Sequence, residues 1–318
     1  MTASGRLQPF ATGSCRSQRH TGAGYLPAVC LEVCIVEFAV TLLGHHAIRA
    51  MHMNVGMANA IEAAESEYLC ARVESLSRIS GNPFGARVFF NEAFPCFQVK
   101  ASPSPMLNRI YGDSTDRPKS LLSLLKESAE YSTVTPLIGK ASTLEQYTLV
   151  GEKRLERLRG WTHLQLACTI ENVVLNHHSF EIEEATSQTL LEFAAVHASG
   201  FHTKPEYLQL SQASFAGLMS NERLKMYVLK ADGKVVAGAL MYLACNGVAY
   251  LGTAATRKNA RGQGYHGALI SHRIEQAKKH GSLVIAATAL PSSQSRRNLQ
   301  RTGLATSHAQ ALYRLVDS

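Results

Sequence analysis

Arg261-Gly262-Gln263-Gly264-Tyr265-His266-Gly267 is the segment of this 318-residue chain whose residue types and spacing point most directly to chemistry. It follows a β-branched and alanine-rich run and precedes an amphipathic one, as a loop between a strand and a helix should. The first turn of a helix exposes unpaired N–H groups and partial positive charge, which together bind phosphate oxygens. Glycines let the backbone approach such an anion and turn successive N–H groups toward it. Arg257, Lys258 and Arg261 add charge at the same end, so the segment reads as a cradle for a pyrophosphate. The stretch from Arg257 to Arg301 holds nine basic residues against the single acid Glu275, a local excess of +8 that equals the net charge of the whole chain. A compact polyanion would explain that concentration.

Three other anion readings are weaker. Gly262-x-Gly264-x-x-Gly267 satisfies a dinucleotide fingerprint, but that fingerprint needs an acidic residue at the end of the next strand to hold a ribose. The next apolar run, Leu283 to Leu290, has neither Asp nor Glu, and too little chain remains for a doubly wound sheet. No Gly-Lys-Ser/Thr follows the glycines, which excludes a P-loop. Nucleic acid would use stacking aromatics, and Tyr265 is the one aromatic residue between Arg257 and Arg301.

The loop is positioned by a block running from 179 to 318. Phe180 to Ala185 alternates as a strand, Ser187 to Ala198 reads as a helix, and Pro205 opens a second helix ending near Met219. Asp232-Gly233 and Asn246-Gly247 are strong hairpin signals, since both turn residues take positive φ. They place Lys225 to Lys230, Val235 to Leu243 and Val248 to Thr256 as three antiparallel strands. The helix Tyr265 to His280 then crosses over to Leu283 to Leu290, whose continuous apolar character suits a parallel strand buried on both faces. The fold class is therefore α/β with a mixed sheet.

An earlier block, 57–171, alternates helix and strand without a catalytic cluster. It reads as a helix at Ile61 to Ile79 and strands at Ala86 to Phe90 and near Phe97 to Lys100. A helix at Pro118 to Tyr131, a strand at Val134 to Ile138, a helix at Leu144 to Arg159 and a closing strand at Trp161 to Ile170 follow. His177 and His178 fall in a polar linker and read as solvated. Residues 1–56 read as a flexible extension or the product of start-site choice. The apolar run Tyr25 to Leu43 is interrupted by Glu32 and Glu37, so neither a membrane span nor a signal peptide is expected. Cys30, Cys34, His45 and His46 match no ordinary zinc spacing, and no metal is expected. Seven scattered cysteines fit unpaired thiols and a cytoplasmic setting.

With those elements in place, Ala255 to Ile270 resembles motif A of the GNAT superfamily of N-acetyltransferases. In that motif an Arg/Gln-x-x-Gly-x-Gly/Ala loop follows the fourth strand and grips the pyrophosphate of coenzyme A. Arg261 and Gly264 take the first two signature positions, and His266 takes the third, which is usually Gly or Ala. Ser295 to Leu304 resembles the family's fourth helix and its terminal Gly-Phe, and the resemblance covers about 140 residues. Met106 to Gly112, with the helix and strand after it, resembles the degenerate first half of two-domain members. The resemblance implies acetyl-CoA as co-substrate, a primary amine of a small molecule or peptide as acceptor, and direct attack on the thioester. It implies CoA contacts at Ala255, Thr256, Arg261, Gly262, Gln263, Gly264, Tyr265 and His266, with backbone N–H groups around Ala255 and Thr256 stabilising the oxyanion. Members often carry a tyrosine four residues before the Gly-Phe glycine as acid; here Leu299 stands there. The strand Val248 to Thr256 carries no carboxylate base either, and Tyr250, Cys245, Glu206 and His202 are the conceivable substitutes. No catalytic residue is named from sequence. The alternative reading is a non-catalytic acyl-CoA sensor or interaction module, and the oligomeric state is left open.

Overall fold

The computed structural model describes residues 47–91, 94–111, 117–141 and 146–316. The apolar run Tyr25 to Leu43 and the residues Cys30, Cys34, His45 and His46 lie outside these. The first element is helix α1 (Ala47–Ser77), whose opening turns fall within the stretch read above as an extension. Strands β1 (Ala86–Asn91), β2 (Phe94–Val99) and β3 (Arg109–Tyr111) form an antiparallel meander. Helix α2 (Pro118–Tyr131) starts on a proline, which suits a first helical position, and crosses to β4 (Leu137–Ala141), parallel to β3.

The next segment departs from the sequence reading. Leu144 to Arg159 is rich in helix formers, yet β5 (Tyr147–Val150) and the long β6 (Lys153–Thr169) form a hairpin there, turning at Gly151 with φ +59°. Local propensity is a weak prior, and here ladder bonding along nearly the whole of β6 overrides it. The second block opens with β7 (Glu181–Glu184), α3 (Leu190–Gly200) and α4 (Leu208–Leu218), the last preceded by a 3₁₀ turn at Pro205–Tyr207. Strands β8 (Leu224–Ala231), β9 (Lys234–Leu243) and β10 (Val248–Tyr250) are antiparallel, and Asp232 and Gly233 take φ +51° and +71° as their turn requires. A short β11 (Ala254–Thr256) continues the line of β10. Helix α5 (Tyr265–Lys279) crosses to β12 (Val284–Ala289), which lies parallel to β10. Helix α6 (Gln294–Arg301) and strand β13 (Ala305–Val316), the latter not foreseen, complete the described chain.

The two halves repeat one plan: a three-stranded meander, a crossover helix and a parallel strand. They also exchange their closing strands. The sheet order is β1-β2-β3-β4-β13-β6-β12-β10-β9-β8-β7, so β13 lies beside β4 and β6 lies beside β12, with β6 and β13 paired at the centre. Helices α1, α3 and α4 cover one face of the second half, over a core containing Tyr68, Val73, Phe193, Phe215 and Tyr250. Helices α5 and α6 cover the other face, over Leu166, Leu251, Ile274, Ile285 and Leu299. α1 rests on β1, β2 and β10, and so spans both halves. Among the described residues no helix is long and apolar enough to cross a membrane.

Candidate active site

β10 and β12 run side by side only as far as Leu251, whose N–H donates to the Ala286 carbonyl (2.7 Å). Beyond it the strands part: β11 pairs with β9, while Ala287 to Ala289 pair with β6. The opening between them is held by Arg273, 1% exposed, which donates from Nε to Leu269 O (3.0 Å) and from Nη1 to Leu240 O (2.8 Å) and Gly252 O (3.3 Å). No carboxylate within ion-pairing distance balances it among the described residues, and burial lowers its pKa to about 9. Leu240 N–H donates to Thr253 O and Arg257 N–H to Val236 O, with Ala255 opposite Gly238. In an antiparallel ladder, main-chain groups alternate between the two edges of a strand. Those of Ala255 therefore face β9, and those of Ala254 and Thr256 face the opening. Of the two residues expected to supply oxyanion donors, Thr256 turns its N–H to the opening and Ala255 does not, whereas Ala254 does.

At the mouth of the opening Gly262 and Gly264 adopt φ +85° and +84°, a region in which a side chain is strained, and Gly264 caps α5. The loop is exposed. Tyr265 is fixed by an edge-on contact with Phe180 (5.0 Å between centroids). His266 accepts from Asn298 Nδ2 at Nδ1 (2.9 Å), which joins α5 to α6 and leaves the ring proton on Nε2. Burial, reinforced by Arg273, lowers its pKa to about 4, so it is neutral near pH 7.

A cavity of about 1310 Å³ runs from this loop through the opening to the other face of the sheet. Ordinary ligand pockets span roughly 300–1,000 Å³, so there is room for a large cofactor and a second substrate together. Of the eight residues expected at the CoA site, all but Gln263 line the cavity. Of the four conceivable bases, Tyr250 and His202 line it. Glu206 instead pairs with Lys204 (3.9 Å), and the exposed Cys245 lies against Arg223. Leu299 is buried between α6 and the sheet.

The residue that sequence reading missed is Glu65. It projects from α1, 2% exposed, and accepts at Oε1 from the Tyr250 hydroxyl (2.7 Å). Oε2 accepts from Gln165 Nε2 (2.9 Å) and Gln310 Nε2 (2.8 Å), and the buried Arg109 lies 3.8 Å away. All three hydrogen bonds donate to Glu65. Burial pushes the Tyr250 hydroxyl well above its usual value, with the Glu65 charge adding to it. Beside this group, burial raises Glu62, against the opposing hydrogen bond from His308 (2.7 Å). Burial lowers His163, with Arg109 assisting. No sequence spacing links Glu65 to Tyr250. The available signal was the acid Glu65 sharing one face of α1 with Tyr68 and Arg72, where a purely structural helix would be apolar. Among the described residues no cluster of His, Cys, Asp and Glu is arranged to hold a metal.

The sequence model of the Acetyltransferase (GNAT) family matches residues 188–304. That segment is therefore similar to the GNAT acetyltransferases. The GNAT match spans α3 to α6 and includes the glycine loop and the strand opening. Over 72% of this chain the fold is similar to that of a functionally unknown conserved protein from Staphylococcus epidermidis, with TM-score 0.52 at 7% identity and 94% of that chain covered. A GCN5-related N-acetyltransferase from Kribbella flavida aligns with TM-score 0.48 at 14% identity (78% of this chain, 94% of that one). A GNAT-family acetyltransferase from Colwellia psychrerythraea aligns with TM-score 0.46 at 14% identity (71% and 84%). No curated protein matches the sequence.

Proposed function

We propose that this GNAT protein transfers an acetyl group from acetyl-CoA to a primary amine of a small molecule or peptide, with Glu65 receiving the amine proton. The observation that carries the reading is one continuous cavity. It joins the positive-φ glycine turn at the start of α5, the opening between β11 and β12, and a buried carboxylate on the opposite face.

In this reading the amides around Gly262 to His266, with Arg261, hold the CoA diphosphate, and the thioester lies in the strand opening. The acceptor enters from the side of α1. An alkylammonium has pKa ~10, so it must lose a proton before its nitrogen attacks. Glu65 has acceptor capacity left on Oε1 and takes that proton before the N–C bond forms; the second proton, shed from the nitrogen as the amide forms, passes to water. The tetrahedral oxyanion meets the Ala254 and Thr256 amides, whose fixed dipoles need no reorganisation. The C–S bond then breaks. With Leu299 on α6 in place of a hydroxyl, the sulfur leaves as thiolate, which its ordinary pKa of ~8.5 permits. The first half is a degenerate copy of the same plan, retained as the acceptor wall: Glu65 and Arg109 come from it. Four free cysteines among the described residues fit a cytoplasmic setting.

Two measurements test this. Acetyl-CoA should raise the melting temperature at micromolar to millimolar concentrations, and free CoA should be released with some member of an amine panel. Stabilisation without release on any amine would favour the sensor reading, which the buried Leu299 motivates. No stabilisation at millimolar acetyl-CoA would end both.

A further inference from the structure

The acceptor end of the cavity has a second polar corner that proton transfer does not use. Glu65, Tyr68 and Arg72 occupy i, i+3 and i+7 on α1, a single helical face, and all three line the cavity. Arg72 is 7% exposed. Its Nε donates to Ser214 Oγ (3.3 Å) and its guanidinium carbon lies 4.9 Å from the Phe215 ring centroid. Among the described residues nothing bonds to its two terminal nitrogens, and no carboxylate lies within ion-pairing distance. Around it stand three more buried groups that line the cavity and hold polar atoms without partners: Tyr68 Oη, Ser211 Oγ and His197 Nδ1. His197 is fixed by stacking on Phe201 and by Thr253 Oγ1, 3.4 Å from Nε2. A buried guanidinium with no anion is costly, and so is each orphaned buried hydroxyl. Their convergence on one cavity wall has a ready explanation in a ligand that supplies the missing acceptors.

We infer that the acceptor of this enzyme is an amino acid whose carboxylate is held by Arg72, with Tyr68 and Ser211, while its amine lies at Glu65. A planar carboxylate matches the two free nitrogens of one guanidinium, and a dianionic phosphate would call for a second cation. The nearby Arg109 is committed to Glu65, Tyr111 and Gln310. Seven residues of helix separate Glu65 from Arg72 by roughly 10 Å along the axis, so the amine and carboxylate are several bonds apart, as in an ω-amino acid. The inference rests on the acetyl-transfer reading, and its test is separable from it.

The experiment measures CoA release and thermal shift, in the presence of CoA, with glycine, 4-aminobutanoate, 6-aminohexanoate and 6-aminohexanamide. Acetyl-CoA stabilisation is recorded in parallel for every sample. The longer acids should exceed both glycine and the amide by about tenfold or more in kcat/KM, or in stabilisation if turnover is slow. Arg72→Gln should reduce the response to 6-aminohexanoate by about tenfold to a hundredfold and leave the amide within threefold, and Arg72→Lys should restore part of it. Amide equal to acid, glycine preferred, or equal losses on acid and amide in Arg72→Gln would each overturn the inference while acetyl-CoA still binds. Loss of acetyl-CoA stabilisation in the unaltered protein would instead remove the reading beneath it.

Discussion

Glu65→Gln separates the charge at the cavity floor from its hydrogen bonds. The amide oxygen can still accept from Gln165 and Gln310, and its NH₂ can donate to Tyr250 if the phenol hydroxyl reverses, since a hydroxyl both donates and accepts. What is lost is the anion beside Arg109, which is 1% exposed and has no other carboxylate within 4.0 Å among the described residues. Breaking a buried pair by neutralising one member costs roughly 3–5 kcal/mol. The separation of 3.8 Å is loose, and Arg109 keeps Tyr111 and Gln310, so the low end, about 3 kcal/mol, is expected. Urea unfolding followed by fluorescence of Trp161, the single tryptophan and a cavity-lining residue, measures it directly. Arg109→Met should cost a similar amount. The double variant should cost less than the sum, by roughly 2–3 kcal/mol of coupling, because no unpaired charge remains. Independently, Glu65→Gln should slow acetyl transfer by about 10²–10⁴ if it takes the proton. Coupling below about 0.5 kcal/mol would refute the charge argument. Undiminished turnover would refute the catalytic one.

Gly264→Asp places a negative charge and a strained side chain at φ +84°, and should abolish thermal stabilisation by acetyl-CoA; Gly264→Ala should cost about 1–2 kcal/mol of stability. A Cβ on Gly200 would lie 2.6 Å from Ala255 Cβ, so Gly200→Ala should push α3 off β11. It should cost about 1–3 kcal/mol by urea unfolding and weaken acetyl-CoA binding in the same titration. His197 and His266 are held neutral, with burial lowering their pKa values to about 3 and about 4. Their unfolded forms titrate near 6.5, so between pH ~6.5 and ~4 the unfolded chain binds more protons and stability falls as pH falls. The two together should contribute a slope of roughly 2–3 kcal/mol per pH unit near pH 5, and His197→Gln should halve it in unfolding curves at pH 7.5, 6 and 5.

Much of the second half was legible because its signals are local. Asp232-Gly233 needs two positive φ values, Gly264 needs one at a helix cap, and α5 shows its buried stripe of Leu269, Ile270 and Ile274 in order. The reading failed where distant partners decide. The Arg- and Leu-rich start of β6 favours helix by itself and becomes strand through β13, and β13 offers no turn signal ahead of it. The candidate base was hidden for the same reason. Glu65 meets Tyr250 across 185 residues, and only folding brings a carboxylate of the first helix beside a strand that has none.

The exchange of closing strands bears on how the molecule comes into being. β4 has one flank open until Gln310 to Tyr313 have been synthesised, and β6 finds β12 only after the whole second meander exists. Neither half can close its own ladder while it emerges, so a nascent first half presents an unpaired, aggregation-prone edge to the cell. The reward is that the glycine loop and the wall bearing Glu65 are assembled in the same final event. A chain that folds at all acquires both together.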